Sequence, residues 1–294
     1  MISKTRDTFE RLIKLVISLA FFVASLCWTV IRRLPNTTCV VLYYHAVPCE
    51  HRKRFAWQMD ILARSTKPVE AGMKSPPPKG GHYAAVTFDD GYESVIENAL
   101  PELEQRRLHS TLFIVTGVIG GFPTWLDRRS AGHGPQQRII SADQLRRLSS
   151  HLVTIGSHSM THPHLPFLTE EQARQELVAS RERLEKLLNR EVTLFSFPYG
   201  AFNEKLVSWC AEAGYERAFT CSPVFAFTHE QEFLTGRVGA EPTDWRLEFR
   251  LKLLGAYRWL PLAFALKRKV LSLFMATRIL RMQEHSVAPH VTRG

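Results

Sequence analysis

Three short stretches gather residue types that can do hydrolytic chemistry. The first is Thr87–Tyr92 (TFDDGY). Two adjacent carboxylates, Asp89 and Asp90, need compensation, because like charges at close quarters raise one pKa. A divalent cation on one of them supplies it and leaves the other free to take a proton. The competing explanation is a helix N-cap, a common place for Asp. The second stretch is Ser157–Leu165 (SHSMTHPHL), with His158, His162 and His164. If helical, the HxxxH spacing puts His158 and His162 on one face, and Pro163 stops the helix at once. The chain has 12 His, so the spacing alone says little; its position after an apolar strand-like run says more. Two His and one Asp make a three-ligand site with open positions, the pattern of a catalytic metal. The alternative is surface or hydrogen-bonded imidazoles with no ligand role. The third stretch is Phe195–Gly200 (FSFPYG). Pro198-Tyr199-Gly200 fixes a turn that can aim a backbone N–H and an aromatic ring at a ligand, although a bare motif of this kind is only a turn. Trp125, in the Gly-rich stretch 117–134, is placed either to stack on a sugar ring or to pack against the fold.

The elements around these stretches alternate. Thr38–Tyr44 (TCVVLYY), Tyr83–Phe88, Thr111–Val115, Leu152–Ile155, Thr193–Phe197 and Arg217–Thr220 read as buried strands. Ser141 with Gln144, and Thr169 with Gln172, form capping boxes that open helices, the second running to about Leu188. Asn203 caps a third helix, which Gly214 ends. Strands alternating with helices imply a mostly parallel sheet or barrel, with its site at the C-terminal strand ends. All three stretches lie at such ends.

The 294 residues suffice for one α/β barrel. No repeat of solenoid length is visible, and five Cys without a CxxC pair signal neither a disulfide framework nor a Cys-based zinc ribbon. The net charge of +10 sits at the ends: +4 in residues 1–34, +8 in 246–294 and −2 between. A nucleic-acid binder carries its basic patch on the folded domain. Basic ends beside apolar segments suit a membrane surface instead. Leu15–Ile31 is an uncharged run of 17 residues, roughly 25 Å as a helix. It is read as an uncleaved single-pass anchor, because no small-x-small cleavage site follows it. The basic residues before it lean toward a cytoplasmic N-terminus and a domain outside the cytoplasm. Tyr257–Met282 is apolar and basic and reads as a helix lying on the membrane. The expected organisation is an anchor at 1–35, a barrel at 36–256, and a basic amphipathic helix with a tail at 257–294.

TFDDG, HSxxH and PYG, in this order, resemble the polysaccharide deacetylases of carbohydrate esterase family 4, relatives of the nodulation-type chitooligosaccharide deacetylases. VLYYHAV (Val41–Val47), FAWQMDIL (Phe55–Leu62) and FRLKLLGAYRWLP (Phe249–Pro261) look like the flanks of deacetylases associated with bacterial exopolysaccharide synthesis. The resemblance implies a distorted (β/α) barrel of about seven parallel strands behind the N-terminal hydrophobic helix. It also implies that Asp90, His158 and His162 bind a divalent metal, usually zinc, with Asp89 as general base and the Tyr199 backbone N–H in the oxyanion hole. Pro198, Tyr199 and Trp125 are then the candidate substrate contacts. The substrate implied is an N-acetylated sugar in a polysaccharide or a lipid-linked precursor, at a bacterial inner membrane.

Two positions depart from the family pattern. Ser196 stands where many members carry Arg, and Arg237 is the candidate to reach Asp89 instead. No leucine-x-histidine motif for the general acid lies near the C-terminus. His45, His133, His164 and His229 are the possible substitutes, with His45 preferred because it follows a strand. Other readings of the same residues are a deformylase, an O-deacetylase, or a catalytically silent barrel in a polysaccharide export complex.

Overall fold

The computed structural model of the chain describes residues 2–32, 37–125, 137–148, 151–267 and 269. After the N-terminal helix α1 (Ile2–Arg32) come β1 (Thr38–Tyr44), α2 (Arg52–Ser65), the short β2 (Lys67–Pro68), β3 (His82–Phe88), α3 (Leu100–Gln105), β4 (Ser110–Ile114) and α4 (Ala142–Arg147). The second half continues with β5 (Val153–Ser157), α5 (Glu170–Leu188), β6 (Leu194–Ser196), α6 (Glu204–Glu212), β7 (Arg217–Phe219), β8 (Leu234–Thr235), β9 (Val238–Gly239) and α7 (Arg246–Leu253). The helix starts obey local chemistry. Ser141 and Thr169 each accept from the backbone N–H three residues on, and Gln144 and Gln172 reach back, so both capping boxes form. The Asn203 side chain accepts from the Leu206 N–H.

All strand pairs in the sheet are parallel, in the order β8-β7-β6-β5-β4-β3-β1-β9, with β2 beside the first half of β3. Successive side chains of a strand point to opposite faces, and here both faces are buried. Val40, Leu42 and Tyr44 of β1, with Val86 and Phe88 of β3, pack outward in one core with Phe55, Met59 and Leu62 of α2. Cys39, Val41, Tyr83 and Ala85 alternate with these and pack with Phe113, Leu194 and Phe219 in a second core. That second core is the barrel interior. Gly156 of β5 has no room for a side chain, since a Cβ would stand 2.6 Å from the Phe113 ring.

Of the nine described strand segments, six have three or more residues, and β2, β8 and β9 have two each. β8 and β9 are opposite edges of the sheet, yet only Gly236 and Arg237 separate them in the chain. Two residues bridge at most about 11 Å, so the sheet curls until its edges nearly meet. Arg237 sits on this seam with its side chain fully buried. Helix α1 packs on α7 and the segment after it. Residues 260–267 are helical, and the remainder of the expected C-terminal helix and tail lies outside the described residues apart from 269.

Candidate active site

The interior face of β3 runs Tyr83, Ala85, Thr87 and then, past the strand, Asp89, whose N–H still bonds the Tyr44 carbonyl at 2.8 Å. Asp89 therefore enters the barrel mouth from above the core. The Arg237 guanidinium meets it there in a two-pronged pair, Nη1 to Oδ1 and Nη2 to Oδ2, each at 2.7 Å. The same guanidinium donates to Thr87 Oγ1 (3.0 Å), Ser196 Oγ (2.7 Å) and the Thr220 carbonyl (3.2 Å). Ser196 is thus a seat for an arginine that arrives from the seam. Burial would raise the Asp89 pKa, but the charge and hydrogen bonds of Arg237 outweigh it and hold the carboxyl at about 2. Asp89 is an anion throughout the physiological range.

Asp90 turns the other way. The backbone flips to φ +69° at this residue, and Gly91 follows at +83°. A Cβ on Gly91 would lie 2.9 Å from Ile114 Cδ1, so the turn has space for glycine only. The Tyr92 hydroxyl bonds the Asp90 carboxylate, while Asp90 Oδ1 is buried without a hydrogen-bond partner. His158 follows β5, its N–H bonded to the Ile114 carbonyl at 2.9 Å. Its Nδ1 lies 2.7 Å from the Ser196 carbonyl, which can only accept, so Nδ1 carries the proton and Nε2 keeps a lone pair. His162 is not on a helix with His158, as the HxxxH spacing allowed. It lies in a loop at φ +61°, its N–H held by Ser159 Oγ at 3.0 Å. Burial above all pushes the His162 pKa down to about 3, so its ring is neutral and able to ligate.

The Nε2 atoms of His158 and His162 each stand 3.5 Å from Asp90 Oδ1, and the three ligand atoms lie within 4.8 Å of one another. A separation of 3.5 Å is too long for a good hydrogen bond. It is close to the edge of a tetrahedron around an ion bound at ~2.0–2.1 Å, which is about 3.4 Å. The orphaned carboxylate oxygen, the fixed imidazole tautomer and the neutral second imidazole all fit a divalent metal.

Among the described residues, four of the eight non-glycine residues at positive φ are here: Asp90, Ser159, His162 and Tyr199. Such backbone strain persists where surrounding structure holds it. One clamp is Glu176 of α5, whose carboxylate accepts from the N–H groups of Met160 (2.8 Å) and Thr161 (2.9 Å) and from the Thr161 hydroxyl (2.6 Å). Sequence reasoning missed Glu176, one acid among several on a charged helix. It also missed Ser159 and Thr87, which carry no signal beyond their places beside the motifs.

The aromatic candidates converge as well. Trp125 stacks on His162 (ring centroids 4.5 Å, 28°), and the exposed Tyr199 meets the same ring edge-on at 4.5 Å. His164 stacks on Tyr199 at 3.9 Å. Pro198 is buried and sets the Tyr199 turn. His45, half-buried after β1, lies near enough for its charge to act on Asp89, Asp90 and His162. His229 is exposed and pairs with Glu232 before β8, and His133 lies outside the described residues.

Residues 77–218 match the family described as polysaccharide deacetylase. The matched span is 142 residues, just under half of the 294. The matched span contains TFDDG, HSxxH and PYG, and the seam arginine lies beyond it. YxkH of Bacillus subtilis, named for the same family, is 24% identical over 216 residues, 69% of this chain and 71% of its own. The peptidoglycan-N-acetylglucosamine deacetylase of Bacillus cereus is 25% identical over 133 residues, 45% of this chain and 41% of its own. The chain therefore spans under half the length of that relative. Among solved structures, IcaB from Ammonifex degensii shares the fold, with a TM-score of 0.61 at 22% identity over 74% of this chain and 98% of that one.

Proposed function

We propose that this deacetylase removes N-acetyl groups from a sugar in a polysaccharide or its lipid-linked precursor, at a membrane surface. The observation that carries the reading is the division of labour between neighbours: Asp89 is locked to Arg237 while Asp90 turns its unpartnered oxygen toward two imidazoles. Asp90, His158 and His162 hold the metal, and the donor set of two imidazoles and a carboxylate suits zinc. When bound, the metal supplies Lewis-acid polarisation and a more acidic water. Asp89 takes one proton from the attacking water as its oxygen bonds to the acetyl carbon. The Tyr199 N–H donates to the developing oxyanion. His45, protonated, gives its proton to the amine nitrogen as the C–N bond breaks, releasing acetate and the free amino sugar. Arg237 positions Asp89 and keeps it ionised. Trp125 and Tyr199 offer ring faces to the sugar.

Acetate release from N-acetylglucosamine oligomers tests the reading with the full chain. Asp89→Asn lowers kcat by about 10²–10⁴-fold with metal retained. His45→Ala lowers kcat with metal retained. Unchanged turnover in Asp89→Asn would overturn the base assignment, and unchanged turnover in His45→Ala would remove that residue from the mechanism.

A further inference from the structure

Helix α1 has the length and hydropathy of a membrane span over Thr8–Ile31, but its packing is not that of a free span. Arg11 Nε donates to Glu248 Oε2 at 2.7 Å, and its Nη2 reaches the Thr243 carbonyl (3.0 Å) and Asp244 Oδ1 (3.3 Å). Its guanidinium also lies 4.7 Å from the Trp245 ring. Lys252 bonds Asp244 at 2.7 Å from the other side. One turn on, Leu15 and Phe22 pack against Leu251, Ala256 and Tyr257, and buried Ser18 accepts from Trp259 Nε1 at 2.9 Å. Arg11, Leu15, Ser18, Phe21, Phe22, Ser25 and Thr29 are the covered positions. At 100° per residue they fall within about 120° of arc. Phe9, Val16, Val23 and Val30 stand on the outer side, each more than half exposed.

This seam and a bilayer crossing exclude one another. Arg11 and Ile31 are about 30 Å apart along the helix, the thickness of the hydrocarbon core. The barrel is joined to α1 beyond Arg32 and touches it as far back as Arg11. In a crossing helix the same contacts would draw Asp244, Glu248 and Lys252 into lipid, where charge is costly.

We propose that α1 lies docked along the barrel, and that its outer face, continued by Leu262, Phe264 and Leu266 of the 260–267 helix, enters one leaflet of a membrane without crossing it. Charge selects lipid as the occupant. Exposed Lys14 and Lys267 rim the apolar face, and the flanking ends carry +4 and +8, which favours anionic headgroups and disfavours a second copy of the same surface. This extends the membrane association proposed above and does not depend on the catalytic reading.

Sealed membrane vesicles carrying the full chain test it, with Cys27 and Cys49 replaced by Ser. A cysteine at Ser3 and, separately, one at Lys186 are reacted with an impermeant maleimide. Both are labelled from the same face of the vesicle; labelling from opposite faces overturns the proposal. The purified full chain floats with vesicles of phosphatidylcholine and phosphatidylglycerol, and floats less with phosphatidylcholine alone. A chain that stays in solution, as monomer or dimer, overturns the lipid assignment. Arg11→Glu lowers the melting temperature of the detergent-solubilised chain, and an unchanged value overturns the docking. None of these readouts uses acetate release, so they stand apart from failure of the catalytic reading.

Discussion

Two clusters of buried charge sit on this barrel, and they are finished differently. At the α1–α7 junction, Asp244 and Glu248 face Arg11 and Lys252, and each carboxylate oxygen has a cation or a backbone N–H within reach. At the mouth, Asp89 is saturated by Arg237, but Asp90 Oδ1 and His162 Nδ1 are buried without partners on a backbone strained at four residues. A closed cluster holds elements together. An open one, held open at a conformational cost, is prepared for something that the chain does not itself provide. Both look alike in the sequence as charged residues near apolar runs; completion of the hydrogen bonding separates them.

The largest expected effect in that contrast is at Arg237. Arg237→Met leaves a buried, uncompensated Asp89 and costs about 3–5 kcal/mol in denaturant unfolding, with loss of turnover. Adding Asp89→Asn recovers much of the stability and none of the turnover. A double variant no more stable than Arg237→Met would show that the pair does not act as a unit. Next comes Glu176→Gln, which loosens the loop carrying His162. Metal affinity should fall about 10–100-fold with little change in unfolding, measured by competition with a chelator. Arg11→Ala should cost about 1–2 kcal/mol, reduced by its partial exposure, and leave acetate release per folded enzyme unchanged. A last test is with pH. The folded Asp89 value of about 2 lies below the ~3.9 of an unfolded aspartate. The pair therefore stabilises fully above about pH 4, and its contribution is lost as pH falls toward 2. Asp89→Asn should flatten melting temperature against pH across that window.

Much of the frame is legible locally. The capping pairs Ser141–Gln144 and Thr169–Gln172 and the apolar strands are short-range chemistry, and they place Asp89, His158 and Tyr199 at strand ends. The seam is less legible, because it depends on how far the sheet curls. Arg237 is 148 residues from Asp89 in the chain, and only β8 and β9 at opposite edges explain how it arrives. The loop form of 158–164 was hidden because HxxxH suits a helix, whereas the φ of His162 is set by Ser159 and the Glu176 clamp. For α1, the apolar run reads as a span on length alone. The docked stripe shows in the sequence only as Arg11, Ser18, Ser25 and Thr29 on one side of an otherwise apolar helix, a pattern that gains meaning once α7 supplies its acids.

The central claim is that two adjacent carboxylates do different work. Metal stoichiometry and acetate release of the full chain, with Asp89→Asn and Asp90→Asn side by side, test it most directly. One metal per chain and no turnover are expected in Asp89→Asn, and neither metal nor turnover in Asp90→Asn. Equal metal loss in both variants, or metal retained in Asp90→Asn, would contradict it.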